Sequence, residues 1–507
     1  MITLKTKNNK MRLHITLAHI KACHPTDKPY PTDSYYQQLA NRLYAHLQKR
    51  FVNVSMQEED LPNIALTLIR YFEDIIADSG LWRAFSQLCE QKYGYAVPLY
   101  HDAEEYYPDE LSLNAVRFLT WKTFSDMYPD KLIYADNKLL LNIAQEAYSL
   151  LDDEFDKAPV NDDLARDIDT LLDQAGTNFN SLRESLTWAM SCSYLNDSRN
   201  VIENKQKAID ELGDKIQLTQ SMKEYFVNTK FLFNYKLSPL ALLSHQWLKA
   251  VAEARGKEQL AAELGVIKVE KMDTWRMLTR TGNELSLESL HGHKITVPVE
   301  EFNIDEKQLA LYDGLMASFV FYQDVWHLNG LLIPAHIKDR FEKMRQECRD
   351  IPQEGTHSYS SEQLKEMFGG RTLIYAKDGE EMIKLLSQKM KRINKTDLRE
   401  LNTDKPMTVT LFIDDKEPFY NQFFCFDTAP CIKDSNNPFY DSQRAQAEAL
   451  DMLWDEKRCT THMAEYLVEH DMLPDAYHQP EFRPATSEIQ QKADLLFFIH
   501  FYRSKNA

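Results

Sequence analysis

The sequence predicts an α+β protein: a mainly helical N-terminal half, a small antiparallel β module, and a C-terminal α/β unit with a helical tail. Three observations predict it. Apolar residues recur at helical spacing through most of the first 265 positions. Between about 268 and 335 the pattern changes to alternation, the period of a strand. Glycine is scarce throughout, 14 in 507 residues, less than half the usual share of about 7%.

Taken in order, Pro31 and a capping Thr32 or Asp33 open a first helix, with Tyr36, Leu39, Ala40, Leu43, Leu47 and Phe51 on one face. Pro62 opens a second, carrying Ile64, Leu68, Ile69, Phe72, Ile75 and Ile76, and Gly80 punctuates it. Leu81, Phe85 and Leu88 mark a third that Gly94 ends. Further helical patterns cover about 111–127, 138–151, 163–174, 178–194 and 198–230, with no fixed period of a solenoid. Alternation in Trp275–Thr279, Leu285–Leu290 and Lys294–Val299 reads as strands, the last two forming a hairpin through His291-Gly292-His293. Pro298 lacks an N–H, which puts its strand at an edge or the proline near a strand end. Ser318–Tyr322 and Val325–Leu331 read as another strand pair. A helix over His336–Arg349 and a turn-rich linker at Ile351–Ser358 follow. Beyond them come strands at Leu373–Ala376, Thr408–Ile413 and Phe419–Phe426, a helix at Glu380–Arg392, and helices at Arg444–Trp454, His462–His470 and Ile489–Tyr502. The expected domains are therefore 1–265 (helical), 266–335 (β module), 336–370 (helix and linker) and 371–507 (α+β).

No two glycines stand at the spacing of G-x-G-x-x-G, of G-x-x-x-x-G-K-[ST] or of G-x-S-x-G. That excludes the recognisable Rossmann, P-loop and nucleophile-elbow forms, whose close backbone approaches need glycine at those offsets. With 59 basic and 77 acidic residues the net charge is −18, which repels phosphate polyanions and disfavours nucleic acid as a partner. The seven cysteines are scattered and make no C-x-x-C pair, so a reducing cytoplasm is expected. Lys5, Lys7 and Lys10 ahead of an apolar stretch resemble a leader, but His14, His19 and Lys21 spoil it. No run reaches the roughly 18 apolar residues of a membrane span.

Several groupings could carry chemistry. His291 and His293 flank the hairpin glycine and could share a metal, although polar turn histidines are the simpler reading. Asp378, Asp414 and Asp415 follow strands. If those strands are parallel, the carboxylates share the carboxyl edge of a sheet, where open α/β folds place ligands and Mg²⁺. Turn and helix-cap roles compete with that reading. Cys459 and His462, with Cys425 and Cys431, have partial zinc spacing, against buried free thiols. The acidic stretch from Asp152 to Asp173 lacks an EF-hand's central glycine and terminal Glu spacing. The basic run Lys389, Lys391, Arg392, Lys395 and Arg399 lacks interleaved aromatics for stacking on bases. Tyr35, Tyr36, Trp82, Tyr106, Tyr107 and Trp121 make an aromatic stripe that is core by default and an interaction patch where exposed.

Runs across the chain carry a resemblance: Pro31-Thr32-Asp33-Ser34-Tyr35-Tyr36 with Leu39-Ala40-Asn41, Tyr71-Phe72-Glu73-Asp74-Ile75-Ile76 with Leu81-Trp82, and Trp326-His327-Leu328-Asn329-Gly330. Near the C-terminus Cys431–Asp441 and Leu473-Pro474-Asp475-Ala476 join them. Together they resemble a bacterial family with a domain of unknown function. The resemblance implies one intact architecture and a cytoplasmic bacterial setting, and no reaction, cofactor or catalytic residue.

The expectation is a non-enzymatic cytoplasmic protein that binds another protein or a ligand, with any protein interface at an exposed aromatic patch of the helical half, and with no cofactor and no membrane contact. The alternative is a metal-dependent hydrolase or nuclease using Asp378, Asp414 and Asp415, and only there does a divalent metal enter.

Overall fold

The computed structural model describes residues 14–54, 56–101, 106–191, 193–196, 198–212, 218–302, 306–309, 311–350, 359–390, 399–402, 407–416, 421–473, 476 and 487–503. Lys5, Lys7, Lys10, the linker at 351–358 and Lys391, Arg392 and Lys395 of the basic run lie outside them. The fold is α+β. Two compact units form: one from the described residues up to Ser198 with Trp247–Ala261, the other from those of 199–246 and of 262 onward. The segment 199–246, grouped by sequence with the helical half, belongs to the second unit.

The first unit is helical. Its leading elements are α1 (Leu17–Lys21), α2 (Asp33–Arg50), α3 (Asp60–Ala77), α4 (Leu81–Tyr93), α5 (Leu113–Met127), α6 (Lys138–Phe155), α7 (Asp162–Ala175) and α8 (Phe179–Ser191). Helix α3 touches α1, α2, α4, α5, α6 and α7. It is therefore buried on several faces, with Ile64, Leu68, Ile69 and Phe72 fully enclosed and Glu73 and Asp74 carried inside with them. Burial of this kind, roughly 25 cal/mol per Å² of apolar surface, is what holds such a helix in place. The aromatic stripe is mostly core: Tyr36, Trp82 and Trp121 are buried, and Trp82 packs against Phe85 and Phe118. Tyr107 is exposed, and Tyr35 and Tyr106 are half-buried. The acidic stretch is neutralised locally, Glu154 by Arg42, Asp169 by Arg255 and Asp173 by Lys257.

The second unit contains α9 (Ser198–Leu212), α10 (Gln220–Asn234) and a six-stranded antiparallel sheet. A two-residue pair, β1 (Lys236–Leu237) and β2 (Leu242–Leu243), precedes it. The sheet strands are β3 (Lys268–Thr281), β4 (Glu284–Ser289), β5 (Lys294–Pro298), β6 (Gly314–Tyr322), β7 (Val325–Leu328) and β8 (Ile333–Ala335). Their order is β5-β4-β3-β6-β7, with β8 also on β6. The hairpin expected through His291-Gly292-His293 is present, pairing Leu287 with Ile295. Pro298 ends the edge strand β5, where its missing N–H costs no ladder bond. Strand β3 starts seven residues before the expected Trp275, because its first half pairs with β6 although its alternation is weak. Inward-facing Trp275, Leu287, Val297, Leu315 and Phe319 fill the core of this sheet.

A second sheet orders β9 (Leu373–Ala376), β10 (Val409–Ile413) and β11 (Gln422–Phe426) as β11-β10-β9. Both pairings are antiparallel. This corrects the parallel arrangement on which the shared carboxylate edge depended. With Val409 opposite Ala376 and Phe412 opposite Leu373, Asp378 lies past one end of β10 and Asp414 past the other, about 24 Å apart along the strand direction. No described helix is long and apolar enough to cross a membrane.

Candidate metal centre

Three polar side chains meet inside the helical unit: His24, Asp33 and Glu73. His24 follows α1 in a turn closed by its N–H donating to the Lys21 carbonyl at 2.9 Å. The Tyr30-Pro31-Thr32 segment then turns the chain into α2. Thr32 stands at the cap position without a side-chain cap bond. Instead Asp33 Oδ2 accepts the Tyr30 N–H at 2.9 Å, and the other oxygen, Oδ1, is buried without a hydrogen-bond partner. Glu73 comes from the C-terminal part of α3, and its Oε1 accepts from Asn161 Nδ2 at 2.7 Å. Asn161 in turn caps α7 by accepting from the Leu164 N–H.

One donor atom from each of the three residues lies within 4.8 Å of the other two, and all three residues are buried. His24 Nδ1 is 3.9 Å from Asp33 Oδ1 and Nε2 is 3.6 Å from Glu73 Oε2. Both separations are too long for hydrogen bonds, and neither ring nitrogen has a partner. The ring is nonetheless held, stacked on Tyr30 with centroids 4.4 Å apart. The Tyr30 hydroxyl donates to Asp167 at 2.8 Å, which Thr26 also reaches. Burial pushes the Asp33 carboxyl above its usual range, against the Tyr30 N–H and the His24 ring, which lower it.

Two carboxylates removed from water call for a compensating cation. A proton on His24 supplies a single charge, and its N–H groups would need acceptors closer than these. A divalent ion neutralises both carboxylates and takes a neutral imidazole nitrogen. Metal–donor distances of about 2.1 Å imply donor–donor edges of about 3.4 Å in a tetrahedral site. The three donors, within 4.8 Å of one another, would close by up to about 1.4 Å to match. One imidazole and two carboxylates suit Zn²⁺, Mn²⁺ or Fe²⁺ better than a thiolate-seeking ion.

Among the described residues this is the only group of three or more such donors within reach of one ion. The candidates named from sequence have other places. His293 Nδ1 faces Glu270 at 3.0 Å, while His291 lies 3.6 Å from Asp273. Asp378 caps a helix, accepting the Glu381 N–H at 2.8 Å. Asp415 pairs with Lys365. Asp414 is buried and meets His462 at 2.7 Å, joining two residues that had been assigned to separate sites. His462 is thus turned toward a carboxylate, and Cys459 is a buried free thiol that burial pushes up to about 11. Sequence reasoning passed over His24 and Glu73 and read Asp33 only as a cap. A signal was there: Glu73 falls four residues after Ile69, on the apolar face of its helix.

The fold and this donor set define an α+β protein whose helical unit encloses a nitrogen–oxygen cluster of the kind that takes a divalent cation. The chain belongs to the family described as "Protein of unknown function (DUF3843)", which matches residues 18–274 and 342–502. No curated protein and no solved structure matches it. The three donors lie within the first matched segment, and residues 275–341 between the segments carry most of the six-stranded sheet.

Proposed function

We propose that this protein is a metal-binding, non-enzymatic member of its family, in which one divalent transition-metal ion at His24, Asp33 and Glu73 fastens the start of the chain, α2 and α3 together. The observation that carries the reading is the pair of buried, unpartnered imidazole nitrogens beside two buried carboxylates. Enclosure supports a structural rather than a catalytic ion: His24, Asp33 and Glu73 are 6%, 3% and 2% exposed, and sites that do chemistry keep a position open to substrate. A reducing, cytoplasmic setting belongs to the same proposal, supported by free thiols at Cys89, Cys425, Cys431 and Cys459.

Elemental analysis and calorimetric titration with Zn²⁺ and Mn²⁺ test it. The full chain is expected to take up a stoichiometric ion. His24→Ala and Glu73→Gln are expected to weaken binding by more than about 100-fold, and Asn161→Ala, which removes only an outer partner of Glu73, by about tenfold. No uptake by the wild type, or equal uptake by Glu73→Gln, overturns the proposal.

A further inference from the structure

The second unit holds a cleft of about 450 Å³ between α10 and the six-stranded sheet, within the size range of small-molecule sites. Phe226, Thr229, Lys230 and Asn234 line it from the helix, and Lys271, Met272, Ser318 and Asn329 from the sheet. A β-bulge makes the sheet side. Glu270 pairs with Phe319 and Asp273 with Ala317, so Lys271 and Met272 together oppose Ser318. A bulge re-aims the side chains it carries, and here it brings a cation and a thioether to the same wall. The Ser318 hydroxyl donates to the Glu270 carbonyl at 2.8 Å, holding the bulge in shape.

The helix is seated by the Asn329-Gly330 turn. Asn329 Nδ2 donates to the Thr229 carbonyl at 3.3 Å, and its backbone N–H donates to the Ser318 carbonyl at 2.9 Å. Gly330 has φ +93°, and a Cβ there would lie 2.6 Å from Thr229 Oγ1, so only glycine allows this approach. With both N–H functions committed, Asn329 Oδ1 is left buried without a partner, on a residue only 3% exposed. The charged groups among the lining residues are the two lysines, and neither is held in an ion pair among the described residues. Phe226 and Met272 supply apolar wall.

We propose that this cleft binds a small amphipathic organic anion. Its negative group lies between Lys230 and Lys271, its apolar body lies against Phe226 and Met272, and an N–H or O–H of the ligand donates to Asn329 Oδ1. In a chain of net charge −18, two lysines facing each other from the helix and the sheet, neither in an ion pair among the described residues, make a local positive site that attracts a compact anion while the surrounding field repels a polyanion. The site does not rest on the metal centre.

The probe is 8-anilinonaphthalene-1-sulfonate, which carries an anion, an N–H and an apolar body, and fluoresces when it leaves water. Titration of the full chain is expected to show saturable, stoichiometric enhancement that a non-fluorescent naphthoate displaces. Two variants separate charge from shape: Lys230→Glu with Lys271→Glu reverses the charge, and Met272→Trp fills the cleft while keeping it. Each is expected to weaken binding by about tenfold or more, with unchanged circular dichroism as the check on folding. Absence of saturable binding below about 1 mM, or enhancement that survives both variants, overturns the proposal.

Discussion

Glu73 and Asp74 are neighbours on one helix, and both are buried, yet their surroundings set them apart. Asp74 accepts from the Trp82 N–H at 2.7 Å, the Leu81 N–H at 3.2 Å, the Tyr194 hydroxyl at 2.8 Å and the Ser79 hydroxyl. Burial pushes its carboxyl up, and these four bonds pull it back. It satisfies the first turn of α4, whose preceding residue Gly80 has no side chain to do so. Glu73 has a hydrogen bond on one oxygen and faces an imidazole with the other. The two therefore predict different phenotypes. Asp74→Ala leaves buried donors unpaired and should cost about 3 kcal/mol or more in a urea melt, with metal uptake by the folded fraction unchanged. Glu73→Gln should lose the metal.

At the scale of elements, strand direction decided the fate of the carboxylate hypothesis. Leu373–Ala376, Thr408–Ile413 and the helix after Asp378 were legible as a strand, a strand and a helix, because burial of β9 and β10 wrote continuous apolar runs. Their relative direction was not legible, since a run of Val, Leu, Phe and Ile is the same in either orientation. Direction was set instead by pairing: β10 lies between β9 and β11 and is antiparallel to both. Asp378 caps the helix that follows it and lies 3.7 Å from Lys377. Asp378→Ala should lower stability by about 1 kcal/mol in chemical denaturation; a much larger loss, or a loss of metal content, would contradict that role. The hairpin through Gly292 was legible for the opposite reason, because local turn chemistry specifies it.

Across the whole molecule, stability carries a pH dependence that a single buried histidine makes readable. His245 lies in the helix Ser244–Ala254 and is 8% exposed. Desolvation by burial lowers its imidazole from 6.5 to about 4. Between those values the unfolded chain binds a proton that the folded chain does not, so stability is complete above 6.5 and falls as pH is lowered toward 4. The loss should reach about 2 kcal/mol by pH 5 from this group. Urea midpoints at pH 7 and pH 5 are expected to differ less in His245→Asn than in the wild type. An unchanged difference would place the acid sensitivity elsewhere.

The scarcity of glycine, the helical period of the first half, the alternation from Trp275 and the hairpin at Gly292 were determined by the sequence alone. Each is a local property, expressed within about 10–15 residues, where propensity and periodicity act directly. What only the tertiary structure decided is which side chains share a space. The turn at His24 and the start of α2 are distant in sequence from the C-terminal part of α3, and α3's burial on several faces brings their polar atoms within 4.8 Å. The same holds for Asp414 with His462, and for α10 with the bulge at Lys271. Periodicity records that a face is buried, but not against what. That information resides in long-range packing, and in this protein the candidate sites are made there.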